Sequence, residues 1–138
     1  MYIKGKFVSG SELNEVKEVR TSCGLEVSDT DDNMSIHVVA YCVDEETKPV
    51  ATGRLRFDGE EYTIDALCRC PEESDDYTDF VLKMLIYQAV QHGANQIMAE
   101  CGLEQAVLYK RNRFALLEET NGICIMRLEN AAVHHCCN

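Results

Sequence analysis

Hydrophobic and polar positions follow two patterns along the chain, one typical of helices and one typical of strands. Between Asp75 and His92 the apolar side chains recur every three or four residues, which predicts a helix with one buried face. Elsewhere, short runs rich in β-branched and aromatic residues end at Gly, Pro, Asn or Asp, which is typical of strands. The predicted strands are Tyr2–Phe7, Ile36–Val43, Val50–Phe57, Tyr62–Cys70, Gln96–Glu100 and Ile123–Leu128.

Turn and capping residues delimit the remaining elements. Ser9 and Glu12 have the spacing of a capping box and predict the start of a helix that ends near Gly24. Asp58-Gly59 predicts a tight hairpin, and Gly53 inside a strand predicts a bulge or a close backbone approach. A third helix is predicted over residues 103–114. The order is β-α-β-β-β-α-β-α-β, which indicates a mixed sheet flanked by helices in one α+β (α/β three-layer) domain over residues 1–130, with a tail over 131–138.

Composition narrows the possible partners. The 138 residues suffice for one domain, and 13 basic against 24 acidic side chains give a net charge of −11. This balance disfavours nucleic acid and anionic membranes, which both reward a basic surface. The apolar runs are far shorter than the ~20 residues of a membrane span, and residues 1–6 carry no signal-peptide pattern. We therefore expect a cytoplasmic protein.

The eight cysteines are few enough that we expect reduced thiols rather than a disulfide scaffold. Cys42 and Cys124 lie in strand-like runs and predict small buried apolar side chains. The tail contains adjacent potential zinc ligands without the gap of two to four residues that structural zinc sites show, so we expect no bound metal. These residues are His134, His135, Cys136 and Cys137. A thiol- or metal-handling protein, with Cys68 and Cys70 contributing, is the weaker alternative.

Four stretches, in this order, resemble the GNAT (Gcn5-related N-acetyltransferase) family. They are the opening strand and helix (residues 2–20), the hairpin Ala51-Thr52-Gly53-Arg54-Leu55-Arg56-Phe57-Asp58-Gly59 with Tyr62-Thr63-Ile64, Cys70-Pro71-Glu72 before a long helix ending in Gly93-Ala94, and Ala106-Val107-Leu108-Tyr109-Lys110-Arg111-Asn112-Arg113-Phe114. The last stretch is similar to the family's segment ending in Tyr-x-x-x-Gly-Phe. Together they cover most of the chain.

The resemblance implies transfer of an acetyl group from acetyl-CoA to an amine. It implies that Tyr109 protonates the departing thiolate, and that a carboxylate on the fourth strand, for which Asp65 and Glu61 are the candidates, or an ordered water there deprotonates the amine. Pantetheine would lie between the fourth and fifth strands and the pyrophosphate at the start of the following helix. The cofactor-binding residues implied are Leu67, Cys68, Arg69, Cys70, Ser74, Asp75, Asp76, Tyr77, Thr78 and Asp79.

The phosphate-binding segment departs from the family pattern. The family has Arg or Gln, two residues, Gly, any residue, then Gly or Ala, whereas residues 73–80 contain neither glycine nor a basic side chain. Leu103 occupies a position where the family frequently has Asn, and Arg113 occupies the position of the Gly that usually precedes Phe. Ser74 as an N-cap, with carboxylates in the first helical turn, is a structural explanation of the same segment. Two hypotheses therefore stay open: an N-acetyltransferase of unidentified acceptor amine, and a degenerate GNAT-fold domain that no longer binds CoA and serves as a binding or structural module.

Overall fold

The computed structural model describes residues 3–8, 13–27, 35–42 and 48–134. The strands of this part of the chain are β1 (Ile3–Val8), β2 (Ser35–Cys42), β3 (Lys48–Asp58), β4 (Glu61–Arg69), β5 (Gln96–Gly102), β6 (Ala115–Thr120) and β7 (Ile123–Glu129). The helices in these residues are α1 (Leu13–Ser22), α2 (Asp75–Gln91), α3 (Ala106–Arg111) and α4 (Ala131–His134), and Leu103–Gln105 forms a 3-10 turn. The predicted capping box at Ser9 and Glu12 lies outside the described residues.

All seven strands form one mixed sheet in the order β1-β2-β3-β4-β5-β7-β6. Neighbours run antiparallel except β4 and β5, which are parallel and joined through α2. This pair is registered at only two positions, Thr63 with Met98 and Ile64 with Ala99. Beyond them the two strands are no longer paired, so the centre of the sheet opens into a fork. The predicted α+β class with a mixed sheet is confirmed.

Helix α2 fills the larger core on one face of the sheet. Its apolar stripe, which includes Val81 and Leu85, packs on β2, β3 and β4. A Cβ atom at Gly53 would lie 2.8 Å from Leu85 Cδ1, so glycine permits this close approach, and the β3–β4 register shifts at the same place. Each fully buried leucine of this kind contributes about 2 kcal/mol of burial free energy. The predicted helix and the Gly53 irregularity are both confirmed.

Helix α1 covers the opposite face of the sheet over β2, β3 and β4. Val16 packs there with Val8, Val39 and Tyr41 in a separate, smaller core. Side chains of β2 consequently alternate between the two faces, with Val38 and Ala40 in the α2 core. Packing against these two cores determines on which side of the sheet each side chain of β3 and β4 lies. It therefore also determines which side chains border the fork.

One strand was not predicted, and one predicted helix was wrong in extent. Strand β6 was missed because all six of its side chains are exposed, which leaves no alternating pattern to detect. Asn121 and Gly122, both at positive φ, form its turn into β7, and this Asn-Gly pair is a hairpin signal in the sequence. The predicted helix over 103–114 is shorter: α3 ends at Arg111, after which Arg113 adopts φ +74° and the chain reverses.

The chain end is partly helical. Ala131, the first residue of α4, is buried, and its backbone N–H donates to the Asn95 carbonyl oxygen at 2.9 Å. The boundary drawn at residue 130 stays a prediction, and the His-Cys cluster of the tail lies largely outside the described residues. Within the described part of the chain, no helix is long and apolar enough to span a bilayer.

Candidate functional site

The fork between β4 and β5 opens into a cleft of about 640 Å³, within the range of small-molecule sites. Its walls come from the end of β4, the start of α2, the segment between β5 and α3, and the residues after α1. Five of the ten predicted cofactor residues line it: Leu67, Cys68, Arg69, Asp75 and Thr78. The other five, Cys70, Ser74, Asp76, Tyr77 and Asp79, lie next to these along the chain but do not line the cleft.

One hydrogen bond already satisfies the Leu67 carbonyl on the unpaired edge of β4 in the cleft. Gln105 donates from Nε2 to the Leu67 carbonyl oxygen at 2.6 Å. Leu67 follows Ala66, which has the positive φ of +53° and causes the bulge at this point of the strand. The side-chain amide of Gln105 thus replaces the bond that β5 would have supplied had the two strands stayed paired.

The start of α2 is held by its own polar groups. The Ser74 hydroxyl accepts a hydrogen bond from the Asp76 N–H at 3.1 Å, which confirms the predicted N-cap. Asp75 pairs with Arg69 at 2.8 Å. Asp76 makes no ion pair with any described residue. The positive end of the helix dipole therefore has two carboxylates beside it, one paired and one not.

Asp79, one turn further along α2, connects this helix to α3. Its carboxylate accepts a hydrogen bond from the buried Asn112 at 2.9 Å and also contacts Lys83. Burial opposes ionisation, but the hydrogen bonds from Lys83 and Asn112 outweigh it and lower the pKa of Asp79. The partners of Asp79 therefore give it a structural role, whereas Asp75 lines the cleft itself.

Tyr109 lies fully buried beside the fork. Its ring packs edge-on against Phe114 at 5.2 Å, and its hydroxyl has no hydrogen-bond partner among the described residues. Burial raises the pKa of Tyr109, and the nearby Cys101 on β5 and Asp65 on β4 raise it further. The phenol is thus close to both strands beyond their last paired residues, and it stays protonated at neutral pH.

The two predicted bases occupy different environments. Asp65 accepts a bidentate pair of hydrogen bonds from Arg54, each 2.8 Å, and lies 3.0 Å from Arg56 Nε. The side chains of Arg54 and Asp65 are only 8% and 13% exposed, so two guanidinium groups already engage this carboxylate. Glu61 lies beside the β3–β4 hairpin and lines a second depression of about 700 Å³ with Tyr62 and Met98. The structure brings Asp65, but not Glu61, next to the fork.

Glu100 is a carboxylate at the fork that sequence reasoning missed. Continuing the β4–β5 register by one residue sets Asp65 opposite Glu100, at the first unpaired position. Ile64 and Ala99 face the α2 core, so Asp65 and Glu100 both face the other side of the sheet. Glu100 is exposed and makes no ion pair with any described residue. In sequence it is one acid in a short strand, and only the strand pairing reveals its position.

Cysteines also border the cleft. The Cys23 thiol donates to the Arg69 carbonyl oxygen at 2.7 Å and contacts Cys68. Burial and the neighbouring Cys23 raise the pKa of Cys68, and burial raises the pKa of Cys101 to about 12. Thiols held in the neutral form are poor nucleophiles and poor metal ligands. No group of three or more potential metal ligands occurs in the part of the chain that the structure describes.

Comparison with solved structures identifies the class of fold. An N-acetyltransferase from Staphylococcus aureus superposes with a TM-score of 0.76 at 15% identity, over 94% of this chain and 98% of its own. The ribosomal-protein-S18-alanine N-acetyltransferase of Escherichia coli gives 0.76 at 13% identity, over 94% of both chains. The PaiA N-acetyltransferase of Thermoplasma acidophilum, in complex with coenzyme A, gives 0.71 at 13% identity, over 94% and 99%.

The chain therefore has the fold of the GNAT N-acetyltransferases over nearly its whole length, as its sequence motifs predicted. The sequence itself matches no protein-family model and no curated protein.

Proposed function

We propose that this protein is an N-acetyltransferase that transfers the acetyl group of acetyl-CoA to an amine. The observation that carries the proposal is Tyr109, a buried tyrosine whose hydroxyl has no partner among the described residues and lies beside an open fork. A buried hydroxyl without a partner is costly, and its retention is explained when a substrate supplies the missing contact. The fold shared with N-acetyltransferases supports the same reaction class.

The reaction assigns a role to each group at the fork. The amine nitrogen attacks the thioester carbonyl, a C–N bond forms, and the C–S bond breaks. Tyr109 donates its proton to the departing thiolate, because its hydroxyl is protonated at neutral pH and has no partner among the described residues. Glu100 accepts the proton of the amine, because it is exposed and unpaired, whereas Asp65 is engaged by Arg54 and Arg56. Asp65 then orients the arginines rather than moving a proton.

The cleft fits the pantetheine of acetyl-CoA better than the pyrophosphate. The Leu67 carbonyl on the diverging edge of β4 can accept from an amide of pantetheine once Gln105 moves aside. The helix end that would receive the pyrophosphate has Asp75 and Asp76 instead of glycine. Side chains there keep phosphates off the backbone N–H groups, and the carboxylates repel them. We therefore infer weak binding of acetyl-CoA.

The missing glycines and the carboxylates at the start of α2 also favour the second candidate, a GNAT-fold domain without CoA binding. Calorimetric titration of the protein with acetyl-CoA separates the two. Saturable binding, displaced by CoA and accompanied by acetylation of some amine in a broad acceptor panel, supports the enzyme. No heat at millimolar acetyl-CoA, in a protein that melts cooperatively, supports the degenerate domain.

A further inference from the structure

The face of the sheet that carries Glu100 holds charged side chains of both signs. Arg56 on β3 pairs in register with Thr63 on β4, and Thr63 with Met98 on β5, so these residues share one face of the sheet. Asp65 and Glu100 share that face one step further along the fork. On the β3–β4 side, the guanidinium groups of Arg54 and Arg56 both meet the carboxylate of Asp65, while Asp58 and Glu61 lie further away on the same face, at the hairpin. The carboxylate of Glu100 lies on the β5 side.

Arg54 and Arg56 differ in what they can still bind. Arg54 is buried, and its guanidinium group is already engaged by Asp65 through two hydrogen bonds. Arg56 is 41% exposed, and its nearest approach to Asp65 is an ion pair from Nε at 3.0 Å that lacks hydrogen-bond geometry. A guanidinium presented in this way suits a carboxylate, which it can engage with two parallel N–H donors.

We propose that the acceptor is an amino acid, whose carboxylate Arg56 binds while its amine faces Glu100. This inference rests on the proposed acetyl transfer and deepens it by naming the substrate class. The net charge of −11 suggests the opposite, a cationic acceptor such as a polyamine. Charges more than ~8 Å away are largely screened at physiological salt, however, so the guanidinium in direct contact determines which group is bound.

The first test compares amines that differ only in the carboxylate. L-alanine, L-leucine and L-lysine are assayed beside their α-amides and beside spermidine, with kcat/KM as the readout. The acids are expected to exceed their amides by about tenfold or more, the size of a charged hydrogen-bond pair. Arg56→Gln should bring this ratio close to one without changing acetyl-CoA affinity, and Arg56→Lys should restore part of it. Lys48→Gln, which removes one charge at the exposed far end of the same strand, should leave the ratio unchanged.

A second test needs no turnover. N-acetyl-L-leucine and N-acetyl-L-leucinamide are titrated into the protein without CoA and followed by amide NMR shifts. The acid is expected to bind tighter than the amide to wild type and not to Arg56→Gln. If this preference holds while no amine is acetylated, the carboxylate site stands and the proposed reaction fails. If amides are acetylated and bound as well as acids, or if Lys48→Gln abolishes the preference equally, the inference is overturned while the reaction stands.

Discussion

The side-chain amide of Gln105 donates a 2.6 Å hydrogen bond to the Leu67 carbonyl oxygen inside the cleft. Leu67 lies on the part of β4 that has lost β5 as its partner, so a buried backbone acceptor would otherwise be unsatisfied. A ligand with its own amide N–H can use this acceptor only by displacing Gln105. The bond therefore stabilises the free protein and opposes binding of acetyl-CoA.

Replacing Gln105 with alanine should strengthen acetyl-CoA binding. Loss of a typical hydrogen bond in the free state is worth about 0.5–1.5 kcal/mol, which corresponds to a roughly two- to tenfold lower Kd. Calorimetric titration of Gln105→Ala beside Gln96→Ala, an exposed glutamine at the start of β5, measures the effect. Weaker binding in Gln105→Ala alone would mean that Gln105 holds the fork in its binding geometry instead of blocking it.

Removing the Tyr109 hydroxyl should separate catalysis from stability. In an assay with detectable transfer, Tyr109→Phe is expected to lower kcat by about 10²–10⁴ with little change in acetyl-CoA affinity. Its free energy of unfolding should not fall, because the hydroxyl is buried without a partner among the described residues. Tyr87→Phe, at an exposed tyrosine of α2, serves as the control. A less stable Tyr109→Phe with normal turnover would make Tyr109 a packing residue.

The sequence was informative wherever local chemistry determines structure. The apolar period and Ser74 predict α2 to within a residue, because capping and one-sided burial are properties of the segment itself. The fork is different, since it depends on which strands pair and where the pairing stops. Neither the positive φ of Ala66 nor the position of Glu100 opposite Asp65 has a local signal. Site residues that depend on strand register were therefore beyond sequence reasoning.

Glu100 and Asp65 should respond differently to loss of charge. Glu100→Gln is expected to lower kcat, because it removes the carboxylate that accepts the proton of the amine, while stability stays near wild type. Asp65→Asn should instead cost about 3–5 kcal/mol of stability, since it leaves Arg54 buried without its counter-charge. Urea denaturation and the kcat of both variants measure this. A stable Asp65→Asn that loses all activity, beside an active Glu100→Gln, would make Asp65 the base.

Asp79 should make the stability of the protein depend on pH. Its pKa is lowered in the folded state, so the carboxylate stabilises the fold fully above its unfolded pKa of ~3.9 and less as pH falls through the folded value. Asp79→Asn is therefore expected to be about 1–2 kcal/mol less stable at pH 7, with the deficit shrinking near pH 3. Urea titrations at both pH values, with Asp58→Asn at the exposed hairpin as control, test this. A deficit that is constant with pH would indicate a loss of packing rather than of charge.

Asp75 should oppose phosphate binding in two ways at once. Its carboxylate lies at the start of α2 and also engages Arg69 at 2.8 Å, the nearest cation to that helix end in the cleft. Asp75→Ser removes a repulsion of roughly 0.6 kcal/mol in water at ~7 Å, or about 2.4 kcal/mol at an effective dielectric near 20, and it frees Arg69 for the pyrophosphate. We expect a Kd for acetyl-CoA at least several-fold lower, with a steeper dependence on salt because a new cation contacts the ligand.

Calorimetry at low and high salt, beside Asp58→Ser as a change of equal charge at the hairpin, separates local from general effects. Equal improvement in both variants would mean that only net charge matters, and weaker binding in Asp75→Ser would mean that Asp75 is needed to position Arg69.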